Sequence, residues 1–450
     1  MQDQDKDEAA EKTADLLTQA EEVLKMNDRG NYTQPAHGLY PHQWLWDSCF
    51  IAIGQRHIDV ERAKAEILSL LRGQWHNGMM PNIIFRDEPQ YRTDRNIWRS
   101  WLNPYAPNDI TTTGITQPPM LAEAVVQVGR KLAWPERRSW YAMVYPALLA
   151  YHEWLYRERD PHDEGLVLQI HPWETGLDNT PPWMSEMHDH LMPFWIRLIE
   201  KTRFDKVIGL FRRDTRHVDA GQRFSTVDAL MLLDTQRRLR RKGYDINRIL
   251  NHSLFAIEDL AFNSILIRAN SHLKEVAKAL REDLPPELEA SMHKNEKALE
   301  QLWDPYSQQY YSRDFVTHRL LKIPTVATLL PLYAGCVTKE RAKQLVRHLE
   351  NEQEFGPAYP VPSVSVNSQW FQPKLYWQGP TWVNMNWLVI DGLKRYGFKE
   401  EAKTLRESTL EMIGRHGCYE YFDPLTGEPC GARDFSWTAS LAIDLLKTSK

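Results

Sequence analysis

The sequence is poor in cysteine: Cys49, Cys336, Cys418 and Cys430 are the four, and none stands in a C-x-x-C pair. That spacing excludes a zinc ribbon or a thioredoxin-type motif, and the four read as reduced thiols of a cytoplasmic protein. No apolar run approaches the roughly 18 residues a membrane helix needs. The opening MQDQDKDEAAEKTADLL is acidic, without the cationic and apolar regions of a secretory signal. A basic surplus is missing as well. With Lys+Arg 55 against Asp+Glu 60 the net charge is -5, which points to neither nucleic acid nor a membrane as a partner. Rossmann and P-loop glycine signatures are absent. His188, Asp189 and His190 lack a matched second group of ligands, and His152-Glu153 has no histidine four residues after His152. Neither a metal nor another cofactor is implied, and the expected partner is a small molecule. The oligomeric state stays open.

What the chain does have is aromatic side chains, 17 Trp and 18 Tyr, concentrated beside Gly, Pro and carboxylates in loop-like segments. Rings with an apolar face and a polar edge suit sugars, whose C–H faces stack while their hydroxyls take hydrogen bonds. Helical periodicity runs from end to end. Asp59 can cap a helix whose Val60, Ala63, Ile67 and Leu71 share one face, and Gly73 stops it. Similar patterns predict helices over 8–26, 46–55, 117–131, 136–158, 256–281, 286–302, 323–335, 338–349, 381–396, 398–414 and 435–447. About twelve amphipathic helices without strand-like runs favour an all-α double ring packed pairwise round a centre. Long stretches near 75–116, 159–255 and 351–380 break the pattern. Loops of that length are expected to be functional and to cap one end of the ring, with helices of their own near 183–200 and 224–241. No linker divides residues 1–450, so one domain is expected, with cap insertions at about 75–116 and 159–255.

Four segments place rings beside carboxylates or amides: LYPHQWLWDS at 39–48, HPWETGLDN at 171–179, YWQGPTW at 376–382 and CYEYFDPLTGEPCGARDFSW at 418–437. Hydrolysis of an acetal needs one carboxylic acid to protonate the leaving oxygen and a second carboxylate to activate water or attack the sugar. Asp47, Glu174, Asp178, Glu420, Asp423, Glu428 and Asp434 are the candidates. Asp423, opening the turn DPLTG, and Asp434, preceding the last helix, also fit as turn and cap residues. Composition and spacing do not choose the pair.

These segments, in this order and over nearly the whole chain, resemble the bacterial branch of glycoside hydrolase family 63, the mannosylglycerate and glucosylglycerate hydrolases, with a more distant similarity to trehalases. The resemblance implies an (α/α)6 barrel with a cap subdomain and an inverting mechanism. It makes Asp178, closing W-E-T-G-L-D, the general acid and Glu420, in Y-E-Y-F-D-P, the general base. Tyr40, Trp44, Trp46, Asp47, Trp173, Tyr376, Trp377, Gln378, Gly379 and Trp382 match the sugar pocket. Gln117 and Tyr91 match further substrate contacts, and Asn82 stands where relatives often carry His. Physically, Trp173 and its neighbours are expected to desolvate Asp178 and so favour its protonated form. Glu420, in a more polar stretch, can stay ionised. A glycerate leaving group needs a partner for its carboxylate, and FRRDTRHVDAGQR at 211–223 offers four arginines; Arg212 and Arg213 are the expected clamp. The expected reaction is release of glucose or mannose from an α-glycosyl glycerate. An α-glucosidase or trehalase-like disaccharide hydrolase is the alternative enzyme, and a non-catalytic sugar-binding helical protein the alternative from another class.

Overall fold

Helix α1 (Gln2–Asn27) opens a computed structural model that describes residues 2–210, 212–251 and 255–448. In chain order the other principal helices are α2 (Leu45–Gln55), α3 (Val60–Leu71), α4 (Leu121–Gly129), α5 (Trp134–Arg159) and α6 (Leu260–Leu280). They are followed by α7 (Pro286–Ala298), α8 (Leu330–Ala334), α9 (Lys339–Glu350), α10 (Val383–Tyr396), α11 (Lys399–His416) and α12 (Ser436–Lys447). Among the described residues the even-numbered helices close a ring. Each packs on the next, from α2 through α4, α6, α8 and α10 to α12, which returns to α2. The odd-numbered helices lie outside: α3 leans on α2 and α4, α5 on α4 and α6, and α11 on α10 and α12. This is an (α/α)6 barrel.

The sequence separates the two rings by how far round each helix is apolar. Every residue of α2 is buried, as suits a helix enclosed on all sides. Helix α9 buries only Ala342, Leu345, Val346 and Leu349, the one-sided stripe of a helix with solvent at its back. Capping follows the expected chemistry, with Asp59 accepting from the Arg62 N–H at 3.0 Å and Thr338 from the Arg341 N–H at 3.2 Å.

Some local readings differ from expectation. Helix α4 starts at Leu121 because Pro118 and Pro119 precede it and cannot extend a helix backwards. The helix expected over 323–335 is a 3-10 turn, Val326–Leu329, followed by the short α8, which stops at Gly335 with φ 78°. Asp434 does not cap the last helix: its φ is 54° and Phe435 takes the cap position. Among the described residues four short antiparallel strand pairs also occur, the longest joining Tyr419–Phe422 to Pro429–Arg433. Phe211, which opens the arginine segment, and residues 252–254 lie outside the described residues.

Connections alternate in length. Inner-to-outer links such as 56–59 and 130–133 are short, whereas outer-to-inner links such as 72–120, 160–259 and 351–382 are long. The long links therefore gather at one face of the barrel, where the inner helices begin. Two of them carry helices of their own, including Arg92–Trp98, Phe194–Lys201 and Thr226–Arg241, which pack on one another. A small second core of Phe85, Trp98, Ile115, Leu168, Ile170 and Leu239, with others, joins the two insertions.

Candidate active site

The inner helices present their first residues to this face, and the pocket there is built from helix starts and the segments just before them. Trp44, Trp46 and Asp47 open α2, Gln117 precedes α4, Trp382 precedes α10, and Phe435 and Trp437 open α12. Tyr40, Gly176, Asp178, Tyr376, Trp377 and Glu420 complete the lining. Trp377 and Trp382 stack with centroids 3.8 Å apart and planes 2° from parallel, and the Trp382 ring N–H donates to the Tyr376 carbonyl at 3.1 Å. Trp46 meets Trp437 edge to face. The walls are thus rigid aromatic surface, with three carboxyl groups, Asp47, Asp178 and Glu420, set into it.

The environments of these acids differ. Asp178 accepts from the Tyr376 hydroxyl at 2.8 Å. Burial pushes its carboxyl up to about 7, against the lowering effects of the Tyr376 hydrogen bond and the Arg223 charge. Glu420 is 2% exposed and receives three donors: the Tyr40 hydroxyl at 2.8 Å, the Ala432 N–H at 2.9 Å and Arg223 Nη1 at 3.3 Å. A guanidinium and two neutral donors suit the ionised carboxylate. Asp47, in the first turn of α2, has its carboxyl held well above the usual range by burial, and by the neighbouring charges of Glu420 and Asp178. One acid favoured as a proton donor and one carboxylate with charge-stabilising partners share a single aromatic pocket.

The pocket opens into a vestibule of about 820 Å³, which shares Tyr40 and Trp44 with it. Tyr91, Trp98, Trp173, Arg212, Arg213, Arg216 and Arg223 contribute to its walls.

Residues 40–438 match the family model described as mannosylglycerate hydrolase MGH1-like glycoside hydrolase domain. The chain belongs to this glycoside hydrolase family. It is 40% identical to a mannosylglycerate hydrolase of Thermus thermophilus over 94% of this chain and 99% of the relative. A glucosylglycerate hydrolase of Mycolicibacterium hassiacum is 32% identical over 96% of this chain and 97% of its own length. The crystal structure of a GH63 mannosylglycerate hydrolase from Thermus thermophilus in complex with Tris and D-glycerate superposes with a TM-score of 0.85 at 39% identity, covering 95% of this chain and 99% of that one.

Of the residues singled out in the sequence, ten line the inner pocket of this glycoside hydrolase: Tyr40, Trp44, Trp46, Asp47, Gln117, Asp178, Tyr376, Trp377, Trp382 and Glu420. Tyr91, Trp173, Arg212 and Arg213 face the vestibule instead. Trp173 packs beside Trp98 and His171, and the rings that share the pocket with Asp178 are instead Tyr40, Trp44, Trp46, Tyr376, Trp377, Trp382, Phe435 and Trp437. Gln378 and Gly379 line neither space. The Gln378 amide donates to the Asn179 carbonyl at 2.9 Å, and the Trp377 N–H to Asn179 Oδ1 at 2.9 Å, which ties the 376–379 loop to the residue after Asp178. Gly379 is required by packing, since a Cβ there would meet the Gln372 carbonyl oxygen at 2.2 Å. Arg212 spends its donors on Asp214 and, at 2.7 Å, on the Phe224 carbonyl, whereas the more exposed Arg213 pairs with Asp94 at 3.2 Å.

Other candidate acids have structural partners. Glu174 is fully buried, paired with Arg159 at 2.8 Å and accepting from the Thr116 and Ile170 N–H groups. Asp423 holds its turn through the Leu425 N–H, and Glu428 pairs with Lys374 at the surface. Asn82 is buried, with Thr113 as partner of its side chain. Sequence reasoning missed Gly176, Phe435 and Trp437 as pocket walls, the last two lying within the segment CYEYFDPLTGEPCGARDFSW that helped carry the resemblance. It also passed over Arg223, one arginine among four in its segment.

Among the described residues no group of three or more His, Cys, Asp or Glu side chains could hold a metal ion. His188 is paired with Asp228 at 2.6 Å, and the His190 side chain lies outside the described residues. No described helix is long and apolar enough to cross a membrane.

Proposed function

We propose that this chain hydrolyses an α-linked glucosyl or mannosyl glycerate with inversion, Asp178 acting as general acid and Glu420 as general base. The contrast between the two carboxyl groups carries the reading. Asp178, pushed up to about 7 by burial, holds a proton near neutral pH, while Glu420 faces a guanidinium. In the proposed step the Asp178 proton passes to the glycosidic oxygen as the bond from the anomeric carbon to that oxygen breaks. Glu420 takes a proton from a water that attacks the anomeric carbon from the opposite face, so glycerate and a hexose of inverted configuration are released. The hexose lies against Trp46, Trp377 and Trp382, with Asp47 and Gln117 available to its hydroxyls.

The glycerate extends into the vestibule beneath a cap made by approximately 75–116 and 159–255, where Arg213, whose side chain is 60% exposed, offers a cation to the carboxylate. Relatives named for mannosylglycerate and glucosylglycerate support this substrate class. The deciding experiment is incubation with glucosylglycerate, mannosylglycerate, trehalose, kojibiose and nitrophenyl glycosides, with proton NMR of the first-formed sugar. Release of hexose from a glycerate glycoside with an inverted anomer is expected. Turnover of trehalose alone, or a retained anomer, would overturn the reading.

A further inference from the structure

Arg223 differs from the other arginines of its segment in being almost fully buried, its side chain 4% exposed. Its place is set by the preceding residue. The Gln222 carbonyl accepts from the Tyr421 hydroxyl at 2.5 Å, and Gln222 Oε1 accepts from the Gly431 N–H at 2.8 Å. Tyr421 and Gly431 both belong to the hairpin that carries Glu420, so residues 222–223 lie directly on that hairpin. The fit is close: at Gly431, where φ is 73°, a Cβ would fall 2.6 Å from Glu420 Oε2.

From this position the guanidinium reaches both sides of the proposed chemistry. Nη1 is 3.3 and 3.5 Å from the two Glu420 oxygens. The guanidinium carbon lies 4.2 Å from the centroid of the Tyr376 ring, and the hydroxyl of that ring donates to Asp178. The other groups facing Arg223 are Asp214, 3.7 Å from Nε, and the rings of Tyr40, Phe224 and Tyr421. Glu420 is faced in addition by the Tyr40 hydroxyl, Asp47 and Asp178. As a structural tie the arrangement is poor. Nε is buried without a hydrogen-bond partner and the contacts to Glu420 are long. A buried ion pair with such geometry is weak evidence for stability, and an apolar filling of equal volume would often serve the fold as well.

We propose that Arg223, anchored by Gln222, is a positioning residue that holds Glu420 oriented and, through the Tyr376 ring, sets how readily Asp178 gives up its proton. The proposal rests on the assignment of Asp178 and Glu420 as acid and base. Removing the cation raises the pH at which Asp178 ionises, so the alkaline limb of the kcat/KM profile moves upward, while Glu420 loses its orientation. A residue that only fills space would lower activity without moving that limb.

The test is the pH profile of kcat/KM, on any glycoside the wild type hydrolyses, for Arg223→Gln, Arg223→Lys and Gln222→Ala. Arg223→Gln is expected to shift the alkaline limb upward by about one pH unit or more and to lower kcat as Glu420 loses its orientation. Arg223→Lys keeps the charge and should leave that limb in place while kcat falls. Gln222→Ala releases one anchor and should shift the same limb in the same direction by less, which keeps the proposal testable if Arg223→Gln does not fold. An unmoved alkaline limb in Arg223→Gln, or in Gln222→Ala where Arg223→Gln is insoluble, overturns it, as does a Lys variant that shifts like the Gln one. Asp178→Asn and Glu420→Gln separate the two failures. If either retains turnover, the underlying assignment falls; if both are inactive and the Arg223 profiles stay put, only this proposal falls.

Discussion

Replacing Tyr376 by Phe removes one hydroxyl from the pocket and leaves the ring among Trp382, Phe224 and Tyr421. That hydroxyl donates to Asp178 at 2.8 Å and, by favouring the carboxylate, works against the burial that pushes the group up to about 7. A hydrogen bond to a charged group contributes roughly 1.5–3 kcal/mol, and a pH unit corresponds to about 1.4 kcal/mol, so its loss should raise Asp178 by about one to two units. The sign follows from the role. Asp178 must be protonated to act as the acid, so the wild type loses activity as pH rises through about 7, and the variant loses it later. Peak kcat should fall several-fold, because a less acidic donor transfers its proton less readily. The ratio of variant to wild-type activity should nevertheless climb between pH ~7 and ~8.5. Initial rates across pH with a glycerate glycoside, together with a thermal melt to verify folding, make the assay. An alkaline limb that stays fixed or moves downward would refute the assignment of that limb to Asp178.

Much of the barrel was legible because burial is written locally. Helix α2 is apolar without a break from Cys49 to Gly54 and α9 only on one stripe, which sorts them into inner and outer rings without knowledge of their partners. The pocket was less legible, since neighbours in sequence part ways in space. Glu174 and Asp178 sit four residues apart in one motif. Arg159 and the Thr116 N–H claim the first for the fold, and nothing within the motif reveals those partners. In YWQGPTW the rings of Trp377 and Trp382 face each other in the pocket wall, while Gln378 turns away to bind Asn179. The arginine segment shows the limit most plainly. Four arginines look alike along the chain, and the one in the pocket is singled out by Gln222 docking on Tyr421 and Gly431, some two hundred residues later.

Asp178→Asn and Glu420→Gln should each lower kcat by about 10²–10⁴-fold with the fold intact, as measured by hexose release, and near wild-type turnover in either would remove that residue from the mechanism. Arg213→Ala should depress kcat/KM about ten- to a hundredfold for the glycerate glycoside while sparing the same hexose linked to glycerol; Arg212→Ala, whose donors serve Asp214 and Phe224, should lower both substrates alike. Buried His152 and His171 are held neutral down to about 4, so the stability present above pH ~6.5 drains away as pH falls towards 4, by up to ~3 kcal/mol per residue. Urea midpoints from pH 7 to 4 should show this loss, and a His152→Gln variant with an unchanged slope would count against it. Glu174→Gln bears on the fold more than on the chemistry. Glu174 is the carboxylate partner of the buried Arg159 and also accepts from the Thr116 and Ile170 N–H groups, joining the segment before Gln117 to the one that carries Asp178. The amide cannot balance the Arg159 charge, and leaving one partner of a buried pair uncompensated costs about 3–5 kcal/mol. Because both charges then vanish, Glu174→Gln combined with Arg159→Met should recover part of that loss. The expected result is thus a lower urea midpoint with kcat/KM reduced far less than in Asp178→Asn; unchanged stability with kcat reduced as severely as in Asp178→Asn would instead place Glu174 in the chemistry and displace Asp178 as the proton donor.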